Sequence, residues 1–187
     1  MPPPVFKTRR LLLRAAQASD APEIERLAGA REVAATTLNI PHPYPAGAAE
    51  SWIARQAQGW EDGTDAGFAI FEGEGEALVG GIGLRVVAGH RRAEMGYWIA
   101  VPCWNRGYCT EAADEMLRYG FEELALHRIH ASHFGNNPAS GRVMEKIGMS
   151  HEGRRREHVF KWGEFLDLEE YAVLAEQWRA RSKESSR

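Results

Sequence analysis

Cysteine is scarce in this chain of 187 residues: only Cys103 and Cys109 occur, both in one turn and not as a C-x-x-C pair. A disulfide framework and a cysteine-based zinc site are thereby excluded as organising features, and two reduced thiols remain. Long apolar runs are also missing. No stretch approaches the roughly 18 residues of a membrane span, and the opening Met1-Pro2-Pro3-Pro4 has no apolar core like a signal peptide's, so a cytoplasmic protein without a membrane partner is expected. Neither sign of charge dominates, with 23 Lys and Arg against 26 Asp and Glu and a formal net charge of -3. This excludes a nucleic-acid partner held through bulk charge. No internal repeat or linker divides the chain, and 44% hydrophobic with 26% charged residues is an ordinary globular balance. One domain is expected over residues 8–178, with a mobile lead-in over 1–7 and a polar tail over 179–187.

Within that domain the apolar pattern alternates between strand and helix. Thr8 to Ala15 holds Leu11-Leu12-Leu13, suited to a strand, and Asp20 with Pro22 and Glu23 opens a helix whose face is Ile24, Leu27 and Ala28. Residues 30–40 fit no single pattern, and Pro41-His42-Pro43-Tyr44-Pro45 reads as a loop because proline removes donors and fixes the backbone. Ala49, Trp52, Ile53 and Ala57 return at helical spacing, followed by three strands over 67–72, 77–88 and 92–101. Gly80, Gly81 and Gly83 lie inside the second of these, where they signal a bulge or a close backbone approach rather than a nucleotide fingerprint, since no helix follows. A helix over 110–125, a strand over 128–134, a short helix opened by Asn137-Pro138 and a final hairpin about Trp162-Gly163 complete a mixed α/β order. The strand–helix–strand unit from Glu94 to Phe134 is expected to run parallel through a crossover.

The turn between that strand and its helix carries the chemistry. A helix start exposes N–H groups with no intrahelical partner, backed by the positive end of the helix dipole, and so suits phosphate. In Trp104-Asn105-Arg106-Gly107-Tyr108-Cys109-Thr110 the glycine lets main chain approach an anion, Arg106 adds charge, and Thr110 offers a hydroxyl or a cap. The plainer reading is that Gly107 and Thr110 only begin a helix.

Three segments in order, Glu94-Met-Gly-Tyr-Trp-Ile99, Trp104-Asn-Arg-Gly-Tyr-Cys-Thr-Glu-Ala112 and Asn137-Pro-Ala-Ser-Gly-Arg-Val-Met-Glu-Lys-Ile-Gly-Met149, resemble the GNAT superfamily of acetyl-CoA-dependent N-acyltransferases, in its RimJ/RimL-like branch. The resemblance implies a single GNAT-like α/β domain, with a mixed central sheet, a splayed parallel strand pair and flanking helices. It further implies that acetyl-CoA is a co-substrate, that no metal is needed, and that the pantetheine arm lies between the strand ending at Ile99 to Val101 and the strand Arg128 to Phe134. Main-chain bonds from Ile99 and Val101 would hold the arm. The loop of Trp104, Asn105, Arg106, Gly107, Tyr108, Cys109 and Thr110 would hold the pyrophosphate, and Asn137 and Ser140 would line the thioester end. Two positions of the loop depart from the general pattern Q/R-x-x-G-x-G/A: Trp104 stands for Gln or Arg, as suits this branch, and Cys109 for the final small residue.

Acyl transfer to an amine needs a neutral nucleophile, stabilisation of the oxyanion and a proton for the departing thiolate. Many relatives place a Tyr four positions after the residue matching Ser140, but that position is Met144 here. Ser140 is then the candidate acid or thiolate partner, against a purely local role in its helix turn. Glu94 is the candidate base, against a solvent-facing or Arg-paired carboxylate. Tyr97 reads as core or wall. The acceptor is a protein N-terminus or a small amine, and a homodimer is left open. A non-catalytic acyl-CoA sensor is the rival from another class, favoured by the missing Tyr.

Other features weigh less. His130 of the trio His127, His130 and His133 faces away from its neighbours in a strand, against a metal site. Arg154-Arg155-Arg156 reads as a solvated strand and turn face, against a reach to an anionic substrate or the cofactor's ribose phosphate, and Trp52, Trp60 and Tyr44 beside the proline loop are acceptor-pocket wall or core.

Overall fold

β-branched and aromatic runs between the helical stripes pair into one sheet. The computed structural model describes residues 2–75 and 77–185; Met1, Glu76, Ser186 and Arg187, which include the ends of the expected lead-in and tail, lie outside the described residues. The strands are β1 (Phe6–Lys7), β2 (Leu11–Arg14), β3 (Asp65–Glu72), β4 (Ala77–Val87), β5 (Arg92–Ile99), β6 (Arg128–Phe134), β7 (Ser150–Lys161) and β8 (Glu164–Leu174). Their spatial order is β1-β2-β3-β4-β5-β6-β8-β7. Every neighbouring pair is antiparallel except β5 and β6, which run parallel as the sequence implied.

Helices cover both faces. On one, α4 (Tyr108–Glu122) and α5 (Pro138–Lys146) bury Met116, Leu117, Phe121 and Met144 with Leu13, Phe68, Leu84 and Ile129 of the strands. On the other, α1 (Ala21–Ala28) and α3 (Ala48–Glu61) set Ile24, Leu27 and Ala49 against Ala69, Phe71 and Leu78. The odd and even residues of β3 thus serve different cores, as the period of two requires. The stretch that fitted no pattern contains a short helix, α2 (Arg31–Ala35), and α6 (Ala175–Ser185) follows β8.

Both expected ends are more ordered than the sequence suggested. Phe6 and Lys7, assigned to the lead-in, pair with Leu13 and Leu12, because the Phe6 ring is buried against Phe68 and Tyr119 at centroid distances of 5.2 and 5.0 Å. Residues 179–185 of the tail belong to α6, which Trp178 anchors on Phe121 at 5.5 Å. Asp20 does not cap α1: its carboxylate takes Arg14 at 2.8 and 2.9 Å and the Gln17 N–H at 2.7 Å instead.

One long-range lock joins the first strands to α4. Glu111, in the first turn of α4, accepts from the Thr8 hydroxyl at 2.6 Å, the Arg10 N–H at 2.7 Å and Arg10 Nε at 2.7 Å. Burial works to raise the Glu111 carboxyl, but the bonds from Thr8 and Arg10 outweigh it and hold the group below the ordinary glutamate range. A depressed carboxyl stabilises the fold above its ordinary range, and that contribution is lost as pH falls through the lowered value. Glu111→Ala is expected to destabilise by about 1–3 kcal/mol, since it strands a guanidinium and a hydroxyl. Urea unfolding at neutral and acidic pH checks this: the gap between variant and wild type closes in acid.

Candidate active site

The parallel pairing of β5 with β6 covers only Arg92↔Arg128, Ala93↔Ile129 and Glu94↔His130. Beyond Glu94 the strands part, while β5 stays paired with β4 up to Ile99↔Gly80 and β6 with β8 up to Phe134↔Leu168. Ala100 N–H goes to the Val79 carbonyl at 2.9 Å, so alternation turns the main-chain groups of Tyr97 and Ile99 to the opposite edge, where β6 has withdrawn. The carbonyls of both strand-end residues are in use. Ile99 O accepts the Trp104 indole N–H at 2.7 Å and Val101 O accepts the Trp104 main-chain N–H at 3.1 Å. What Ile99 and Val101 offer is therefore their N–H groups. Trp104 acts as a clasp between strand end and loop, a role its place in the motif did not reveal.

The loop next to it is shaped for an anion. Asn105 and Gly107 both lie in the left-handed region, at φ +61° and +79°, and successive reversals of this kind turn N–H groups to one side. Glu111 N–H closes on the Gly107 carbonyl at 3.1 Å, leaving the N–H groups of Tyr108, Cys109 and Thr110 without intrahelical partners. No side chain caps this end, so the hydroxyl of Thr110 does not cap it. Tyr108 is buried and its phenol donates to Glu72, which leaves only its main chain for a ligand. Arg106 is exposed at the loop's tip. Sequence reasoning missed Arg10, which bonds the Arg106 carbonyl at 2.9 Å, lies 4.8 Å from the Tyr108 ring centroid and brings a second positive charge to the loop. Burial pushes the Cys109 thiol well up, so it is a thiol and not a reactive thiolate.

At the far end of the gap Tyr97 reaches from β5 to the first turn of α5. Its hydroxyl lies 2.8 Å from Ser140 Oγ and donates to the Ser140 carbonyl at 3.2 Å. Burial, with Cys109 nearby, raises the Tyr97 phenol far above its ordinary value, against the lowering effect of the Ser140 bond. It stays a neutral donor. Met144, at the position where the resemblance would put a tyrosine, is 1% exposed and packs in the core. Asn137 precedes α5 without a side-chain cap, and the turn closes through its carbonyl, which accepts Ser140 N–H at 3.2 Å. His133 donates Nδ1–H to the Phe134 carbonyl at 2.8 Å, and its buried Nε2 has no partner among the described residues. The alternation Met95, Tyr97, Ile99 is the signal that could have placed Tyr97 on the α5 side.

Glu94 lies on the other side of the sheet. Strand register arranges that face into rows. Asp65, Arg85, Glu94 and His130 form the first, and Gly67, Gly83 and Gly96 the second, continued across the gap by Ser132 and Glu170. Ala69, Gly81 and Trp98 form the third, continued by Phe134 and Leu168. The β4 glycines thus mark a close approach: a Cβ on Gly81 would lie 2.6 Å from the Trp98 indole nitrogen. Above the rows is a cleft of about 810 Å³ that takes in Glu94, Tyr97 and Ser140. Glu94 is half-exposed and pairs with Arg85 at 3.4 Å. Burial lowers His130 below the ordinary histidine range, against the opposing effect of Glu94, so it is neutral at pH 7. Arg154 pairs with Asp167 and Glu169, whereas Arg155 enters the cleft and pairs with Glu170, a departure from a wholly solvated face. Strand alternation sets this: Arg155 is opposite Leu168, on the cleft side, and Arg154 opposite Glu169, on the other. Trp52 lines the cleft, and Trp60 packs on the core beside Phe68 at 6.3 Å. Among the described residues no group of three or more metal-ligating side chains converges.

The sequence profile of the acetyltransferase (GNAT) domain matches residues 10–150. The chain belongs to the GNAT acetyltransferase family. The N-acetyltransferase YoaA of Bacillus subtilis, itself uncharacterised, is 31% identical over 172 residues, 91% of this chain and 97% of that protein. Other Bacillus relatives match over shorter stretches, the chain spanning 49% to 65% of their lengths. Two solved structures share the fold: RimL, a ribosomal L7/L12 alpha-N-protein acetyltransferase in complex with coenzyme A (TM-score 0.83, 17% identity, 91% of this chain and 98% of that one), and the Vibrio cholerae spermidine N-acetyltransferase with CoA and spermine (TM-score 0.80, 23% identity, 92% and 99%).

Gly107→Val would force a branched residue into the left-handed region and put a side chain where the loop is open. It is expected to weaken CoA binding at least roughly tenfold, since about 1.4 kcal/mol suffices for that factor, while calorimetry on wild type gives the reference. Unchanged affinity would remove the loop from the binding site.

Proposed function

We propose that the protein transfers an acetyl group from acetyl-CoA to a primary amine. The observation that carries this reading is the parting of β5 and β6 after Glu94, which opens a channel of unpaired main chain between an anion-binding loop and the Tyr97–Ser140 pair. The N–H groups of Ile99 and Val101 would hold the arm of the donor, and the loop from Trp104 to Thr110, with Arg10 and Arg106, its pyrophosphate. Asn137 and Ser140 would stand at the thioester.

When bound, acetyl-CoA supplies an electrophilic thioester carbonyl: the amine forms the new C–N bond, the C–S bond breaks, nitrogen loses a proton and sulfur gains one. The chain's own groups divide that work. Glu94, with neutral His130 opposite it, takes the proton from the incoming ammonium on the acceptor side. Tyr97 is too buried to ionise, so it orients the Ser140 hydroxyl towards the departing sulfur rather than yielding its own proton. This pair answers the loss of the helix tyrosine at Met144. That loss is also the observation favouring the second reading, a sensor that binds acyl-CoA without turning it over.

Thiol release with acetyl-CoA and a panel of amines separates the two. Ser140→Ala is expected to lower kcat roughly a hundredfold with acetyl-CoA affinity nearly intact, and Tyr97→Phe roughly tenfold. A donor thioester with a more acidic thiol should shrink both losses, because its sulfur leaves without help; wild-type rates in both variants would sink the assignment.

Glu94→Gln removes the proton acceptor, so the amine must reach its free-base form alone, and amines titrate well above neutrality. The rising limb of the pH–rate profile should move to higher pH. A profile superimposable on wild type would take Glu94 out of the mechanism.

A further inference from the structure

The acceptor side of the cleft has two lips that come from opposite ends of the chain. One is the loop after α2, with Thr37 and Leu38, and the other is the end of the β7–β8 hairpin, with Phe160 and Lys161. Lys161 Nζ donates to the Thr37 carbonyl at 2.7 Å, a bond between residues 124 positions apart. Beside it the Trp162 ring lies 6.1 Å from His42 and 5.3 Å from the Arg31 guanidinium. The two lips are thus fastened to each other at the rim of the cleft, where Thr37 and Phe160 line it.

Their inner surfaces are apolar. Leu38 and Phe160 are 55% and 64% exposed, yet both line the cleft. Exposed large apolar side chains on facing lips of one cavity mark a surface kept for a ligand. Behind them stand Trp98, Phe134 and Leu168 of the third row, and Trp52 of α3. The carboxylates lie deeper. Glu94 already has Arg85 at 3.4 Å and Glu170 has Arg155, so of the three carboxylates in the cleft only Asp65 has no ion pair among the described residues. Asp65 sits on β3, at the far end of the first row from the gap, with Oδ1 3.6 Å from where a Cβ on Gly83 would be.

We propose that the acceptor is a small monoamine whose nitrogen is carried on an apolar, aromatic-sized body, as in the arylalkylamines. This rests on the acetyl-transfer reading above. The nitrogen lies over Gly96 beside Glu94 and His130, where the gap opens to the thioester, and the body extends over Trp98 and Phe134 to the lips. An aromatic body has on the order of 150 Å² to bury there. A polyamine carries charge along its whole length and would press ammonium groups against Leu38 and Phe160, where no free carboxylate meets them. A peptide continues past its first residue and would have to pass the Lys161–Thr37 bond.

The test is kcat/KM by thiol release for phenethylamine, spermidine, 1,5-diaminopentane and an octapeptide with a free N-terminus, with CoA binding followed by calorimetry. Phenethylamine is expected to exceed each of the others at least roughly tenfold. Phe160→Ser and Leu38→Ser, both at exposed positions, should raise its KM roughly tenfold and leave CoA affinity as in wild type. Lys161→Ala should raise kcat/KM for the octapeptide relative to phenethylamine. Spermidine, the diamine or the peptide as the best acceptor would overturn the inference and leave acetyl transfer standing, as would an unchanged KM in both Ser variants. Saturable CoA binding with no thiol release for any amine would overturn both.

Discussion

Everything in this molecule depends on two strands that begin as a parallel pair and then stop pairing. β5 and β6 share a ladder over three residues, and each remains bonded to its other neighbour after they separate. Unpaired main chain inside a fold is ordinarily costly, because buried N–H and C=O groups lose water without gaining a partner. Here the cost is limited from within: Trp104 takes the carbonyls of Ile99 and Val101, and Tyr97 bridges the opening to Ser140. What is left over is a short line of donors, which an amide-bearing chain is suited to fill.

The same restraint governs the charges. Glu111 is surrounded by Thr8 and Arg10, Glu94 faces Arg85 and Glu170 faces Arg155, so most carboxylates near the site are committed to partners on the chain. The loop from Trp104 to Thr110, by contrast, has Arg106 in no ion pair among the described residues and three N–H groups without intrahelical partners, while Arg10, itself paired with Glu111, bonds its main chain. On the proposed reading a phosphate would meet uncommitted donors at that end and committed charges at the other. That asymmetry gives the cleft a direction.

The order of elements could be read from the sequence because it is written in local periodicity. Leu11 and Leu13, the stripe Ala113, Met116, Leu117, Gly120, and the Trp162-Gly163 turn each announce their element within a few residues. The shape of the loop from Trp104 to Thr110 was legible for the same reason, since Gly107, at φ +79°, marks a main-chain geometry that neighbouring residues do not alter. The roles of Tyr97, Arg10 and Arg155 were not, because each depends on a residue between 15 and 101 positions away: Tyr97 on Ser140, Arg10 on Glu111, Arg155 on Glu170. The arginine run at 154–156 shows the limit plainly. Its members look alike in sequence, and the register of β7 on β8 sends one of them into the cleft. Phe6 and Trp178 show the converse: polar or proline-rich ends read as loose were tied down by a single ring each.

The Lys161–Thr37 bond has a consequence for how such a chain changes over time. On the proposed reading the donor would be held mostly by one stretch, from Tyr97 to Ser140, joined by Arg10, whereas the lips are contributed by residues near 38 and near 160. Those outer segments are surface loop and hairpin tip, where insertions and exchanges cost least. If the lips select the acceptor as proposed, lineages sharing this fold can trade one lip for another with the donor machinery untouched. Selectivity would then be an attachment to the fold, held on by a lysine.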